Sequence, residues 1–159
     1  MGELSHLDAA GAARMVDVSG KEVSAREAVA AGVVRTTEEV VELLRRDGLP
    51  KGDALATARI AGIMGAKRTP DLIPLCHPIA LAGVTVDFAL SGSDVEITAM
   101  VRTADRTGVE MEALTAVAVA GLALHDMIKA VDPAAVLDAV RLVRKEGGRS
   151  GTWTRPEGR

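Results

Sequence analysis

Two stretches in the middle of the chain alternate apolar and polar positions with a period of two. Val84, Val86, Phe88 and Leu90 stand against Thr85, Asp87, Ala89 and Ser91, and Val95, Ile97, Ala99 and Val101 repeat the pattern. That period predicts two half-buried strands, and Ser91-Gly92-Ser93 predicts a hairpin turn between them. Further along, the spacing changes to three and four. Leu114, Val117, Gly121, Leu124 and Ile128 form one apolar stripe, which predicts a long helix from about Val109 to Val131.

Hydroxyl–acid pairs three residues apart mark where helices begin. Ser24 with Glu27 predicts a short helix closed by Gly32. Thr36 with Glu39 predicts a second, reaching about Arg46 and ending at Gly48, and Thr107 with Glu110 opens the long one. In each, the hydroxyl would accept from a free N–H of the first turn and the carboxylate would answer the cap's own amide. Asp53 is placed to cap a further helix through about Lys67, after which Pro70 and Pro74 predict an irregular loop. Val33-Val34-Arg35 and roughly Ala139 to Lys145 complete the strands.

Residues 1–20 read as an extended arm around Met15-Val16-Asp17-Val18, and residues 147–159, beginning Gly147-Gly148, as a mobile tail. The order strand, helix, strand, strand, helix, strand then suits an α+β, ferredoxin-like βαββαβ sandwich, with two helices on one face of an antiparallel sheet. A chain of 159 residues is expected to form one domain, 1–159, with a substantial core. With one Trp, one Phe and no Tyr, that core must be aliphatic.

Charge and cysteine content narrow the function classes. A formal net charge of −3 argues against a protein that neutralises nucleic-acid phosphates, so an anionic substrate would need a few placed cations. The single cysteine, Cys76, excludes an internal disulfide and fits a reducing compartment. No charged-then-apolar leader stands at the start, and no stretch approaches the roughly 20 apolar residues of a membrane span. The chain therefore reads as cytoplasmic, with no membrane partner.

Four segments concentrate polar groups that a plain scaffold would not need. Lys51-Gly52-Asp53 sets a lysine beside a glycine at a helix entrance, where an anion would meet an ammonium and free N–H groups together. A surface lysine beside an N-cap is the simpler reading. Lys67 to Pro78 contains three prolines and Leu75-Cys76-His77. His77 precedes Pro78 and is biased toward an extended backbone. Adjacent residues of an extended segment face opposite ways, so His77 is poorly placed to activate Cys76, and a buried cysteine is the better account. Three histidines at 6, 77 and 125 with one cysteine have no metal-ligand spacing, and no metal site is expected.

Thr107 to Glu112 supplies two acids: Glu110, explained by capping, and Glu112, with no capping role. Two carboxylates in a first turn also simply suit the helix dipole. Finally, Asp126 and Lys129 are three apart and share a helix face, as a general base beside a cation or as a plain surface ion pair. Glu112 and Asp126 lie 14 residues apart, or about 21 Å along one helix. If both serve active sites, each site is assembled from two chains.

At these segments the sequence resembles the molybdenum cofactor biosynthesis protein C family, the cyclic pyranopterin monophosphate synthases (MoaC). The matching strings are Met15 to Ser19, Lys51-Gly52-Asp53, Ala56 to Ile63, Ala66 to Thr69, Asp71 to Pro78, Thr107 to Ala116, Asp126-Met127, Lys129 to Val131, Gly147-Gly148 and Ser150-Gly151. They run in order over nearly the whole chain. His125 stands where a tyrosine is frequent and Ile128 where a cysteine is frequent; both read as packing changes.

The resemblance implies a homohexamer built as a trimer of dimers, with sites between subunits. It implies a lyase reaction on (8S)-3',8-cyclo-7,8-dihydroguanosine 5'-triphosphate, giving cyclic pyranopterin monophosphate and pyrophosphate. It implies Asp126 as general acid/base, and substrate contacts from Leu75, Cys76, His77, Glu110, Met111 and Glu112. Lys51, Lys129 and Lys145 are implied beside the reacting groups and phosphates. No cofactor is expected: one cysteine cannot hold an iron–sulfur cluster, and magnesium enters only as a triphosphate counter-ion. Two rival readings use the same fold. A regulatory module that binds a small ligand without catalysis would survive Asp126→Asn. An RNA-binding domain lacks the aromatic stacking platform here.

Overall fold

Ser24 and Glu27 do not open a helix. In the computed structural model, which describes residues 6–49 and 53–158, Ser24–Arg35 is a strand, β1. It pairs along its whole length with β3 (Asp94–Asp105) and along most of it with β4 (Val136–Glu146). Its buried even positions are Ala28, Ala30, Gly32 and Val34. Alanine favours helix and both alanine and glycine are weak in strands, so local propensity points the wrong way and position decides. The long helix α4 (Glu110–Ile128) lies directly over β1. A Cβ at Gly32 would sit 2.8 Å from Cγ1 of Val117, so this central strand must be small. The predicted Val33–Arg35 strand is only its last part.

The β2–β3 hairpin forms as expected, with β2 at Leu81–Ser91, Ser91 opposite Asp94, and Gly92 at φ 56° in the turn. The tail carries a two-residue strand, β5 (Trp153–Thr154), paired with β4. The five strands are antiparallel, in the order β2-β3-β1-β4-β5. The helix α2 (Ala54–Lys67) packs against α4, and the two cover one face. The succession β1, α2, β2, β3, α4, β4 is the ferredoxin-like sandwich. The two remaining helices are short: α1 (Glu38–Arg45) and α3 (Thr69–Leu72).

The caps separate good sequence signals from false ones. Asp53 Oδ1 accepts from the Ala56 N–H at 2.9 Å, as expected. The cap of α1 is Thr37, not Thr36: Thr37 Oγ1 accepts from the Val40 N–H, and the Thr36 hydroxyl donates to Asp132 Oδ2 at 2.7 Å. At α4 the expected Thr107–Glu110 box is absent. Val109 is the N-cap, and valine has no acceptor to cap with; Glu110 is then the first helical residue, and its carboxylate accepts from Lys145 Nζ at 3.0 Å. Pro70 sits in the first turn of α3, where its missing N–H costs nothing, so a short helix replaces the expected loop there.

The core is aliphatic. Val34, Val86, Ile97 and Val101 from the sheet meet Val117, Leu124 and Ile128 from α4, all essentially inaccessible to solvent. Each such side chain contributes about 1.5–3 kcal/mol by burial. Contrary to expectation, α4 is long and apolar enough by length and composition to cross a membrane. Its apolarity is explained by burial against α2 and the sheet.

Candidate active site

Where β3 ends and α4 begins, the chain arm, the loop after α3 and the first turn of α4 enclose a cavity of about 410 Å³. The loop contributes Leu75, Cys76 and His77, and the helix contributes Glu110, Met111 and Glu112. Six of the expected site residues, 35 positions apart in sequence, therefore face one space.

Local chemistry explains why the loop arrives there. Thr69 Oγ1 donates back to the Ala66 carbonyl at 3.0 Å, and the Ile73 N–H donates to the Thr69 carbonyl at 2.9 Å, ending α3. The Cys76 N–H then donates to the Ile73 carbonyl, closing a turn with Pro74 at its second position, where the fixed proline φ is favoured. Beyond Pro78, the Thr103 hydroxyl of β3 holds the Ala80 carbonyl at 2.6 Å.

The arm forms the opposite wall through His6, Val16, Val18 and Lys21. His77 Nε2 lies 2.6 Å from the Val16 carbonyl oxygen. A carbonyl can only accept, so Nε2 carries a proton and Nδ1 is left for another partner. Nothing in the side chains of the arm marks it as part of a site. A main-chain acceptor has no side-chain signature, and only the Met15-to-Ser19 string pointed there.

Glu112 is the most perturbed acid. It is 3% exposed, and burial pushes its carboxyl up to about 7, aided by the neighbouring Glu110 charge and opposed by its own backbone N–H. A buried carboxyl that is protonated near neutral pH can donate a hydrogen bond. Cys76 is likewise pushed up, first by burial and then by Glu112. A thiol held protonated is a poor nucleophile; Cys76 is nonetheless only partly buried, and it lines the cavity instead of the core expected for it.

Lys145 joins this region from β4. Its ion pair with Glu110 ties the start of α4 to the sheet, and both residues line a small recess beside the cavity. Lys51 lies outside the described residues. Asp126 and Lys129 do form an ion pair, at 2.7 Å, with both side chains more than half exposed. They stand near the far end of α4 and do not line the cavity. Among the described residues, no three His, Cys, Asp or Glu side chains cluster as metal ligands.

Residues 15–148 match the model of the MoaC family. The chain is 67% identical over 154 residues to cyclic pyranopterin monophosphate synthase 2 of Mycobacterium tuberculosis (strain ATCC 25618 / H37Rv), covering 97% of this chain and 92% of the relative. It is 68% identical over 152 residues to cyclic pyranopterin monophosphate synthase of Streptomyces coelicolor, covering 96% and 89%. With the Corynebacterium glutamicum protein of that name it shares 58% identity over 154 residues, covering 97% and 99%.

Proposed function

The chain belongs to the MoaC family, and we propose that it is a lyase of molybdenum cofactor biosynthesis. It converts the cyclised GTP derivative 3',8-cyclo-7,8-dihydroguanosine 5'-triphosphate into cyclic pyranopterin monophosphate and pyrophosphate in the cytoplasm. The observation that carries this reading is the enclosure by Leu75–His77 and Met111–Glu112 of one cavity containing a buried, readily protonated carboxyl. The names of the relatives favour an enzyme over a ligand-sensing module.

The fused ring system rests between Met111 and the Leu75–His77 loop, and protonated Glu112 donates to a ring oxygen or nitrogen. Ring rearrangement needs protons moved between nitrogen and carbon, which Asp126 does as general acid/base with Lys129 beside it. The cyclic phosphate closes when a substrate hydroxyl loses its proton and its oxygen bonds to the α-phosphorus. The bond to the α,β-bridging oxygen breaks, and the electron pair leaves with pyrophosphate. Lys51 and Lys145 offset charge on the phosphates. No electrons are gained or lost overall, so no redox cofactor is needed, and magnesium enters only with the triphosphate.

Asp126 and Lys129 reach the cavity of a neighbouring copy in a homohexamer built as a trimer of dimers. Supporting this, the pair lies about 21 Å along α4 from Glu112. Between them Leu122, an apolar side chain, is 63% exposed.

The test is incubation with the cyclised GTP derivative, following pyrophosphate and pterin fluorescence. Asp126→Asn should bind substrate and release no pyrophosphate. Mixing Asp126→Asn chains with Glu112→Ala chains should restore part of the activity, because some sites regain both residues. Mixed oligomers that form yet stay inactive would refute the shared site, and wild-type chains yielding neither product would refute the function.

A further inference from the structure

The last turns of α4 carry Asp126 and Lys129, and little in the helix itself holds them still. Both side chains are more than half exposed, so no packing around them fixes their direction. Helices commonly stop at a left-handed glycine or asparagine that secures the final carbonyls. Here no residue between Lys129 and Ala135 has a positive φ. The Val131 and Asp132 N–H groups instead fold back onto one acceptor, the Ile128 carbonyl, at 2.8 and 3.0 Å. A helix end closed this way frays unless a group outside the helix holds the turn.

Asp132 supplies that hold. It is 9% exposed and stands just beyond the negative end of the helix dipole, where burial and the dipole both disfavour a carboxylate. Two donors keep it there. The Ala134 N–H reaches Oδ1 at 3.0 Å, which shapes the turn locally. The Thr36 hydroxyl reaches Oδ2 at 2.7 Å from 96 residues away in sequence, the short distance of a strong hydroxyl–carboxylate bond. Because Thr37 caps α1, the Thr36 hydroxyl is free for this contact.

Thr36 is itself staked to the sheet. It follows β1 directly, and its N–H donates to the Ser93 carbonyl in the β2–β3 turn at 2.9 Å. Its neighbour Arg35 bridges Asp94 at the start of β3 and Asp138 near the start of β4, 3.1 Å from each. Thr36 therefore stands where three strand ends meet. Through Asp132 that fixed point reaches the turn after α4, three residues past Lys129 and six past Asp126.

We propose that Thr36 and Asp132 are positioning residues, whose hydrogen bond holds the end of α4 so that Asp126 and Lys129 meet the substrate at a fixed distance. The proposal rests on the roles given to Asp126 and Lys129 above. Neither Thr36 nor Asp132 lines the cavity of its own chain, and both act through the helix end. Proton transfer needs hydrogen-bond reach, and a misplacement of about 1 Å can cost about 100-fold in rate.

The test compares Thr36→Val, which keeps the shape and loses the donor, with Thr36→Ser, which keeps the donor, and with Asp132→Ala. Turnover of the cyclised GTP derivative and amide hydrogen exchange by mass spectrometry are measured on the full-length protein. Thr36→Val and Asp132→Ala should each lower kcat about tenfold and leave KM within about twofold. Thr36→Ser should stay within about twofold of wild type. The double variant should lose no more than about tenfold, because both changes break one contact. Exchange in Thr36→Val should quicken over residues 126–135 and stay unchanged over 110–120, whereas a general loss of stability would quicken both. An unchanged kcat beside faster local exchange would make the tie purely structural and overturn the proposal. A lower kcat with exchange unchanged at 126–135, or faster throughout α4, would overturn it too. A wild-type protein that forms neither pterin nor pyrophosphate overturns the reaction and this role with it, whereas an active wild type matched by Thr36→Val overturns the role alone.

Discussion

Replacing Glu112 with glutamine should make the protein more stable, and only on the alkaline side. The carboxyl is raised from 4.5 to about 7, chiefly by burial, next by the Glu110 charge, against the stabilising effect of its own N–H. Below pH 4.5 it is protonated in both folded and unfolded chains and costs nothing. Between 4.5 and 7 the unfolded chain ionises while the folded chain holds its proton, so stability falls as pH rises. Above 7 the full cost is present. A shift of this size corresponds to at most about 3 kcal/mol. Partial solvent access through the cavity and screening bring the expected value nearer 2 kcal/mol.

Urea unfolding of wild type and Glu112→Gln at pH 4.5, 6 and 8, at one protein concentration, isolates the effect. Any packing or hydrogen-bond penalty of the amide is independent of pH and cancels in the difference between pH values. The variant's relative stability should rise by about 2 kcal/mol from pH 4.5 to 8, or about 4–8 °C in Tm for a chain of this size. The other titratable side chains around the cavity, His6, Lys21, Cys76, His77 and Glu110, are common to both proteins. A flat difference across that range would refute the burial argument for Glu112.

Gly65→Ala should destabilise by about 1–3 kcal/mol in thermal unfolding, because the added Cβ falls 2.8 Å from Val119 Cβ and forces α2 from α4. Gly83→Ala, where nothing lies within 4 Å, should change stability little, and equal losses would contradict the packing account. His77→Gln should keep a donor near the Val16 carbonyl, whereas His77→Asn is too short. Limited trypsin digestion should therefore cut after Arg14 faster in His77→Asn than in His77→Gln, and identical rates would mean that the arm is held otherwise.

Much of the fold was legible where side-chain pattern and burial agree. The alternation at 84–91 and 95–101 is reproduced, and Val95, Ile97, Ala99 and Val101 are all buried. The Asp53 cap also stands because its contact is three residues away, and the α4 stripe because its three-and-four spacing marks the face that packs on α2 and the sheet. The failure at Ser24–Arg35 has the opposite cause. Ala28, Ala30 and Gly32 are set by α4, about 90 residues away in sequence, and no local signal carries that requirement. Thr107–Glu110 misled because the N-cap is Val109, two residues later than the pair implies, and Lys145, 35 residues on, binds the Glu110 carboxylate. Of the residues that line the cavity, His77 and Glu112 stood out by position and chemistry, whereas Leu75, Cys76, Glu110 and Met111 came only through the family resemblance. Val16 was missed because it acts through its carbonyl, and Lys21 because surface cations are common in any sequence.

The two ends of α4 show which electrostatic effect prevails at each acid. Glu112 sits in the first turn, where the helix dipole favours an anion by about 0.3–1 kcal/mol. Burial opposes with up to about 3 kcal/mol, so desolvation wins and the proton stays near neutral pH. Asp126 sits in the last turns, where the dipole disfavours an anion by a similar small amount. There Lys129, 2.7 Å away and open to water, supplies the offsetting charge. One helix thus carries a dry acid that keeps its proton and a wet, ion-paired one, separated by about 21 Å. Proton donation and proton removal in one small pocket need both kinds of carboxyl within reach of a single substrate. A rigid helix cannot fold back on itself to supply them, so the proposed roles of Glu112 and Asp126 in one reaction and the proposed two-chain site stand or fall together.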